Sequence, residues 1–357
     1  MSRQFFSMAA GIGTKNGRGQ WLEAYYPLPL VQPPPQLAEA VAVLVGYTGG
    51  NATLELDATT CHALEELFLQ QGLLDHALAF SAFESSSRPC LLVLLESDVA
   101  PASIPEAYLK LHLLSHRLVT PHQVNLDGLF AVLPVVAWTC EGAIDPNELH
   151  MRQISARARG KQLNVYSVDK FPKMANYVVP TGVRIADTAR IRLGAYIGEG
   201  TTVMHEGFVN FNAGTRGTCM VEGRISAGVV VEEDSDLGGG ASTMGVLSGG
   251  NDQIISIGKN CLIGANAGIG ISLGDGCTVE AGLYLTAGCK VIVHAEAGSG
   301  SRNESVRARD LSGRAHLLFR RNSLSGAIEC LPNRKTVTLN KELHANSAGS
   351  MASVKNG

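Results

Sequence analysis

Between Val183 and Val293 an aliphatic side chain returns every six residues. The row runs Ile185, Ile191, Ile197, Val203 and Val209, and Thr215 and Val221 carry it on. It resumes at Ile257, Ile263 and Ile269, then continues four residues later at Leu273, Val279, Leu285 and Val291. A small side chain recurs at one fixed place in the hexad: Ala189, Ala195, Thr201, Gly207, Ala213 and Cys219, and later Cys261, Ala267, Cys277 and Cys289. A period of six matches neither an α-helix (3.6) nor a single long strand (2.0). It matches a parallel β-helix, in which a short strand and a corner alternate and successive coils stack. The aliphatic residue points to the axis, and the small residue lets the corner close. Three hexads make one triangular coil, so the stretch predicts about six coils.

Two places break the period. The register slips near Val221–Ile225, and Gly238 through Gln253 departs from it altogether. The second break is expected to be a loop leaving the wall, a common location for function.

The remainder of the 357 residues exceeds what one small domain needs. Most of the 40 glycines crowd between Gly182 and Gly300, which marks a boundary near residue 180. The expected organisation is a mixed α/β domain over 1–178, a β-helix over 179–298, and short strands with a tail over 299–357. In the first domain, Cys90–Leu95 reads as a buried strand, and Ala38–Gly46 reads as another from its alternation. Asp57 or Thr59 caps a helix over 60–72, 73–83 reads as a second, Ser103-Ile-Pro-Glu106 opens a third, and Asp145-Pro-Asn-Glu148 a fourth. No catalytic signature stands out there.

The net charge of −3 and pI near 6.4 give no reason to expect nucleic acid as a partner. No run of about 18 apolar residues suggests a membrane span. The first ten residues lack the apolar core of a signal peptide, so a cytoplasmic protein is expected. Cys219, Cys261, Cys277 and Cys289 occupy corner slots and read as compact reduced fillers rather than zinc ligands.

Large polar residues are out of place in a wall of small side chains, and they gather in two runs. These are Met204-His205-Glu206-Gly-Phe-Val-Asn210-Phe-Asn212 and Met220-Val-Glu222-Gly-Arg224-Ile-Ser226. Glu222 and Arg224, two apart on an extended chain, are expected on one side. Glu206 and Glu222 are about one coil apart and are expected on neighbouring coils.

These runs, with Phe171-Pro-Lys-Met174, Gly238-Gly-Gly-Ala-Ser242 and Leu318-Phe-Arg-Arg-Asn-Ser323, resemble the tetrahydrodipicolinate N-succinyltransferases. The likeness is nearest to the actinobacterial and pseudomonad branch and is strong over about 170–345. It implies a left-handed β-helix, although parallel crossovers are normally right-handed. It also implies a homotrimer with sites shared between subunits. The implied reaction moves a succinyl group from succinyl-CoA to an amino-oxo-dicarboxylate in lysine and diaminopimelate biosynthesis.

The resemblance assigns the key carboxylate to Glu222. Two roles suit it: nucleophile on the thioester, giving a mixed anhydride, or base toward the amine. His205 is the rival base. Arg224 suits a carboxylate clamp. By motif, Gly239, Ser242, Ala265, Glu280, Ala281 and Gly288 line the CoA groove, while Arg307, Arg320, Arg321, Asn322 and Ser323 meet the acyl-CoA. Lys290 is a further cation for the same phosphates. The family's structural magnesium points to Glu206, but its second acid falls at Ala189, with Asp187 two residues away. No cofactor is required for the chemistry itself. A segment near 295–303 is longer than the family pattern.

Two rivals remain. One is another acyl-CoA N-acyltransferase, using an acetyl donor. The other is a non-catalytic β-helix scaffold of the carbonic-anhydrase kind, for which the repeat supplies His205 and, at its far end, His294.

Overall fold

The computed structural model describes residues 4–246, 253–295 and 303–333. The chain forms two compact units, residues 1–172 with 176–178, and residues 173–175 with 179–357.

In the first unit, β1 (Ser7–Lys15) is flanked by β2 (Trp21–Tyr25) and β5 (Cys90–Leu95), and β4 (Ala52–Leu56) pairs with β5. All of these pairings are antiparallel, and β3 (Leu30–Val31) adds a short pairing to β1. The unbroken aliphatic run of β5 is buried throughout. Helices α1 (Pro35–Leu44), α2 (Ala58–Gln70) and α3 (Leu74–Glu84) close one core with it, in which Leu37, Val41, Leu64, Phe68, Phe80 and Leu94 pack together. Asp57 caps α2 by accepting from the Thr60 N–H, and Ser103 caps α4 (Ile104–Ser115) by accepting from that of Glu106. Residues 38–46 are not a strand. Residues 38–44 lie in α1, whose buried positions Leu37, Ala38, Val41 and Ala42 recur at helical spacing behind a proline at the first turn, and Val45 and Gly46 form the turn that ends it. The alternation of Ala, Glu and Val suits either period over so short a run. Short α5 (Leu129–Val132) precedes β6 (Val136–Thr139), and a three-stranded sheet joins β6 to β7 (Gly142–Ile144) and β8 (Val165–Asp169). Between β7 and β8 runs α6 (Pro146–Ala158), capped by Asp145.

The second unit is the column announced by the hexads. Its first wall stacks Ile185, Val203, Val221, Leu237, Ile263 and Val279 in parallel register. Its second stacks Ile191, Val209, Ile225, Thr243, Ile269 and Leu285. Ile197, Thr215, Val231, Ile257 and Leu273 form the third. Most of these side chains have no solvent exposure, nor do the corner residues Ala195, Ala213, Cys219, Cys261, Ala267 and Cys277. Burial pushes the Cys219 thiol up to about 12, as expected of a packing residue. Thr215 survives inside because its Oγ1 lies 2.8 Å from that of Thr201. Asn212, Asn260 and Asn266, each one residue before a corner's small side chain, adopt positive φ, which asparagine tolerates.

The register slip is a shortened corner: Val221 and Ile225 occupy successive walls with four residues between rungs instead of six. Residues 238–243 do not leave the column. Gly238–Gly240 make an ordinary corner, and Thr243 takes the inward place. The excursion starts after Met244; Val246 and Ile254 bridge its neck, and Val231 pairs with Ile257 across it. Residues 247–252 lie outside the described residues.

Val291, six residues past Leu285, is still buried but pairs with Ile328, and Cys289 before it is only half-buried. Leu317–Arg321 returns to pair in parallel with Thr278–Val279, placing Phe319 over Val279 in the first wall. Ile328–Pro332 and Lys290–Val293 extend the same sheet, with Glu304–Arg307 at its edge. Most of the longer segment near 295–303 lies outside the described residues.

Candidate active site

The corner between the first and second walls collects most of the residues singled out from sequence. Glu222, Gly238, Gly264 and Glu280 occupy equivalent places on successive coils. The N–H of each donates to the next coil, to Leu237, Ile263, Val279 and Phe319 carbonyls respectively. The residues that follow the last three are Gly239, Ala265 and Ala281. Their own N–H groups have no partner among the described residues, because the corner turns them away from the wall ladders. A line of backbone donors thus climbs from Glu222 at a spacing of about 4.8 Å.

Glu222 is half-buried, and a methyl group placed on Gly239 would sit 3.6 Å from its Oε2. The carboxylate therefore lies against the glycine. Asp236, one coil on, also feels Glu222: burial first, and the Glu222 charge second, hold the Asp236 carboxyl above the ordinary aspartate range. Asp236 escaped the sequence reading. The signal was its position between inward Ser235 and Leu237, which forces it outward on the first wall.

Glu222 and Arg224 are not on one extended strand. The chain turns at Glu222–Gly223, and Arg224 opens a strand of the second wall. Its guanidinium reaches the next coil, with Nε 3.1 Å and Nη2 2.6 Å from Ser242 Oγ. Ser242 is only 8% exposed and accepts both bonds, whereas Arg224 is exposed.

Around the top of the corner the structure redistributes the remaining candidates. Glu280 accepts from the Arg321 N–H at 2.6 Å, which ties the returning strand to the column. The Arg320 guanidinium forks onto Glu329, with Nε and Nη2 each 3.0 Å from Oε2. Asn322 donates to the other Glu329 oxygen at 2.8 Å and accepts from the Leu324 and Ser325 N–H groups. Arg320 and Asn322 are thus engaged in building the turn; Arg321 is exposed, but its Nη1 also donates to the Gly326 carbonyl at 3.0 Å, and Ser323 is exposed. Gly288 and Arg307 stand apart from the corner. Gly288 is in the turn after Leu285, and Arg307 pairs with Lys290 across an antiparallel rung. Like charges opposed on a rung are unfavourable unless an anion joins them.

His205 and Glu206 are exposed one coil below Glu222. Among the described residues, that corner does not bring three potential ligands together for a cation. Asp187 is committed to the Ala189 N–H at 2.9 Å, Ala189 offers no ligand, and Arg190 donates to the Glu206 carbonyl at 2.8 Å. Among the described residues, the one group of three potential metal ligands within reach of each other is His62, Glu65 and Glu84, on α2 and α3. His294 has Nε2 3.2 Å from Glu329 and belongs to no group of three potential ligands among the described residues.

The family described as "Tetrahydrodipicolinate N-succinyltransferase middle" matches residues 133–173, and "Hexapeptide repeat of succinyl-transferase" matches 254–287. A 2,3,4,5-tetrahydropyridine-2,6-dicarboxylate N-succinyltransferase of Pseudomonas aeruginosa is 57% identical over 347 residues, covering 97% of this chain and 100% of the relative. The chain belongs to the tetrahydropyridine-dicarboxylate N-succinyltransferase family. A family member from Vibrio cholerae is 54% identical over 343 residues, 96% of this chain and 99% of its own. A crystal structure from Campylobacter jejuni, described as a 2,3,4,5-tetrahydropyridine-2-carboxylate N-succinyltransferase, superposes with a TM-score of 0.86 at 30% identity, covering 94% of each chain. The three-walled column is accordingly the left-handed hexapeptide β-helix of this family.

Proposed function

We propose that this chain transfers the succinyl group of succinyl-CoA to the amino group of tetrahydrodipicolinate in its open amino-oxopimelate form. The observation that carries the reading is the placement of the Glu222 carboxylate against Gly239, at the foot of the free N–H line and beside the Arg224–Ser242 pair. The full-length likeness to N-succinyltransferases supports the choice of donor and acceptor.

The steps follow from these groups. A Glu222 oxygen attacks the thioester carbonyl carbon, the C–S bond breaks, and CoA leaves as the thiolate. The Gly239 N–H is positioned to bond the carbonyl oxygen as it gains charge. The substrate amine then attacks the same carbonyl, the C–O bond to Glu222 breaks, and the carboxylate is restored. The proton shed by nitrogen balances the departing thiolate. Arg224 holds a carboxylate of the acyl group, with its fork aimed by Ser242. The N–H groups of Ala265 and Ala281 suit the amide carbonyls of the pantetheine arm. Lys290, Arg307 and Arg321 supply positive charge for the phosphates.

We infer a homotrimer whose sites are completed by a neighbouring subunit, since one corner alone leaves this donor line open to water. Eight unpaired cysteines suit a reducing compartment such as the cytoplasm. No helix among the described residues is long and apolar enough to cross a membrane.

The test is thiol release from succinyl-CoA with the amino-dicarboxylate acceptor, run beside acetyl-CoA. Turnover with acetyl-CoA at equal kcat/KM, or with neither donor, rejects the reading. Exchange of labelled CoA into succinyl-CoA without acceptor is expected for the covalent route and absent if Glu222 serves only as a base.

A further inference from the structure

The outward residues of the second wall form a second row beside the corner: Phe208, Arg224, Ser242, Gly268 and Tyr284, one per coil and in register. Each precedes the inward residue of its rung. Four carry side chains and Gly268 does not. Its φ is not in the left-handed region, so backbone freedom does not require glycine there. Space does. A methyl group on Gly268 would fall far inside van der Waals contact with Cδ1, Cε1 and Cζ of Tyr284. The phenol ring therefore leans from its own coil over the coil beneath and rests on bare backbone. Tyr284 nevertheless stays 47% exposed, so part of its ring is open to a ligand.

The next residue in the row is Ser242, which aims Arg224. The ring seated over Gly268 and the guanidinium bonded to Ser242 are thus neighbours along the row, about one strand spacing apart. We propose that Tyr284 is a specificity-determining residue for the acyl donor: its ring, seated on Gly268, is the end wall of the slot that receives the acyl chain whose carboxylate Arg224 holds. This rests on the functional reading above. A four-carbon dicarboxylic acyl group meets the ring, and one more methylene collides with it. An extra methylene in a closed pocket is discriminated by about 10- to 200-fold.

The experiment compares kcat/KM for succinyl-CoA and glutaryl-CoA with a common amine acceptor. Wild-type turnover of succinyl-CoA tests the functional reading by itself, before any variant is examined. Tyr284→Ala is expected to raise kcat/KM for glutaryl-CoA relative to succinyl-CoA by at least about tenfold. Tyr284→Phe keeps the wild-type ratio, because the ring and not the hydroxyl forms the wall. Gly268→Ala lifts the ring and moves the ratio in the same direction as Tyr284→Ala. If wild type uses succinyl-CoA and folded Tyr284→Ala leaves the donor ratio unchanged, the proposal is overturned. Should Gly268→Ala fail to fold, Tyr284→Ala and Tyr284→Phe still decide it.

Discussion

Arg224 Nη2 lies 2.6 Å from Ser242 Oγ, a bond that spans two coils and joins the exposed cation of the site to a buried hydroxyl. A mobile arginine would lose side-chain entropy on gripping a ligand; this one is already restrained. Ser242→Ala should therefore raise KM for succinyl-CoA about tenfold with a smaller change in kcat, in line with about 1.5 kcal/mol for a bond to a charged group. Arg224→Lys should lose more, because a point charge does not replace a fork. Steady-state kinetics with succinyl-CoA and acetyl-CoA check this: only the acid-bearing donor should suffer.

Glu222→Ala should lower kcat by about a thousandfold or more, the scale expected when a nucleophile is removed. CoA affinity by calorimetry should stay within a few-fold, since the N–H groups of Ala265 and Ala281 are untouched. Near-normal turnover would take Glu222 out of the mechanism.

Acid should weaken the first unit through His112. It is wholly buried, with Nδ1 2.7 Å from the Tyr108 carbonyl and Nε2 3.3 Å from the Tyr26 nitrogen. The neutral ring satisfies both, donating at Nδ1 and accepting at Nε2. Burial lowers its pKa from 6.5 to about 3. The unfolded chain takes up the proton near 6.5 and the folded one only near 3, so stability is whole above that window and falls as pH drops through it. The slope is about 1.4 kcal/mol per pH unit. His116, also lowered by burial, adds in the same sense. Glu23, raised by burial, works in the opposite sense just above 4.5. Urea unfolding at pH 7, 6 and 5, followed by Trp21 and Trp138 fluorescence, should show the decline. His112→Phe should flatten it, whatever the absolute stability of that variant.

Ile269→Ala removes a rung with no solvent exposure from the interior of the second wall, beneath Leu285 and above Thr243. The stacked neighbours leave little room to collapse, so a loss of about 2–5 kcal/mol is expected in equilibrium unfolding. A smaller change would mean that the coil repacks.

The sequence alone determined the column. Inward positions recur at six, and a one-dimensional period survives in one dimension whatever the corners do. The family resemblance, not the spacing, named Glu222, Gly239, Ala265, Glu280 and Ala281, which the column then stacks along one corner. Local capping was legible too, because Asp57, Ser103 and Asp145 act on N–H groups two or three residues away. Tertiary structure alone decided which groups remain available. Arg320 and Arg321 look alike in sequence, yet one forks onto the Glu329 carboxylate and the other reaches only the Gly326 carbonyl of its own turn. Asp236 and Tyr284 acquire meaning only from the neighbouring coil, through Glu222 and Gly268. Such pairings depend on how many residues each corner and excursion consumes, and the shortened corner after Val221 and the excursion after Met244 reset that count. Burial, charge and hydrogen bonding follow the stacked neighbour rather than the neighbour in the chain.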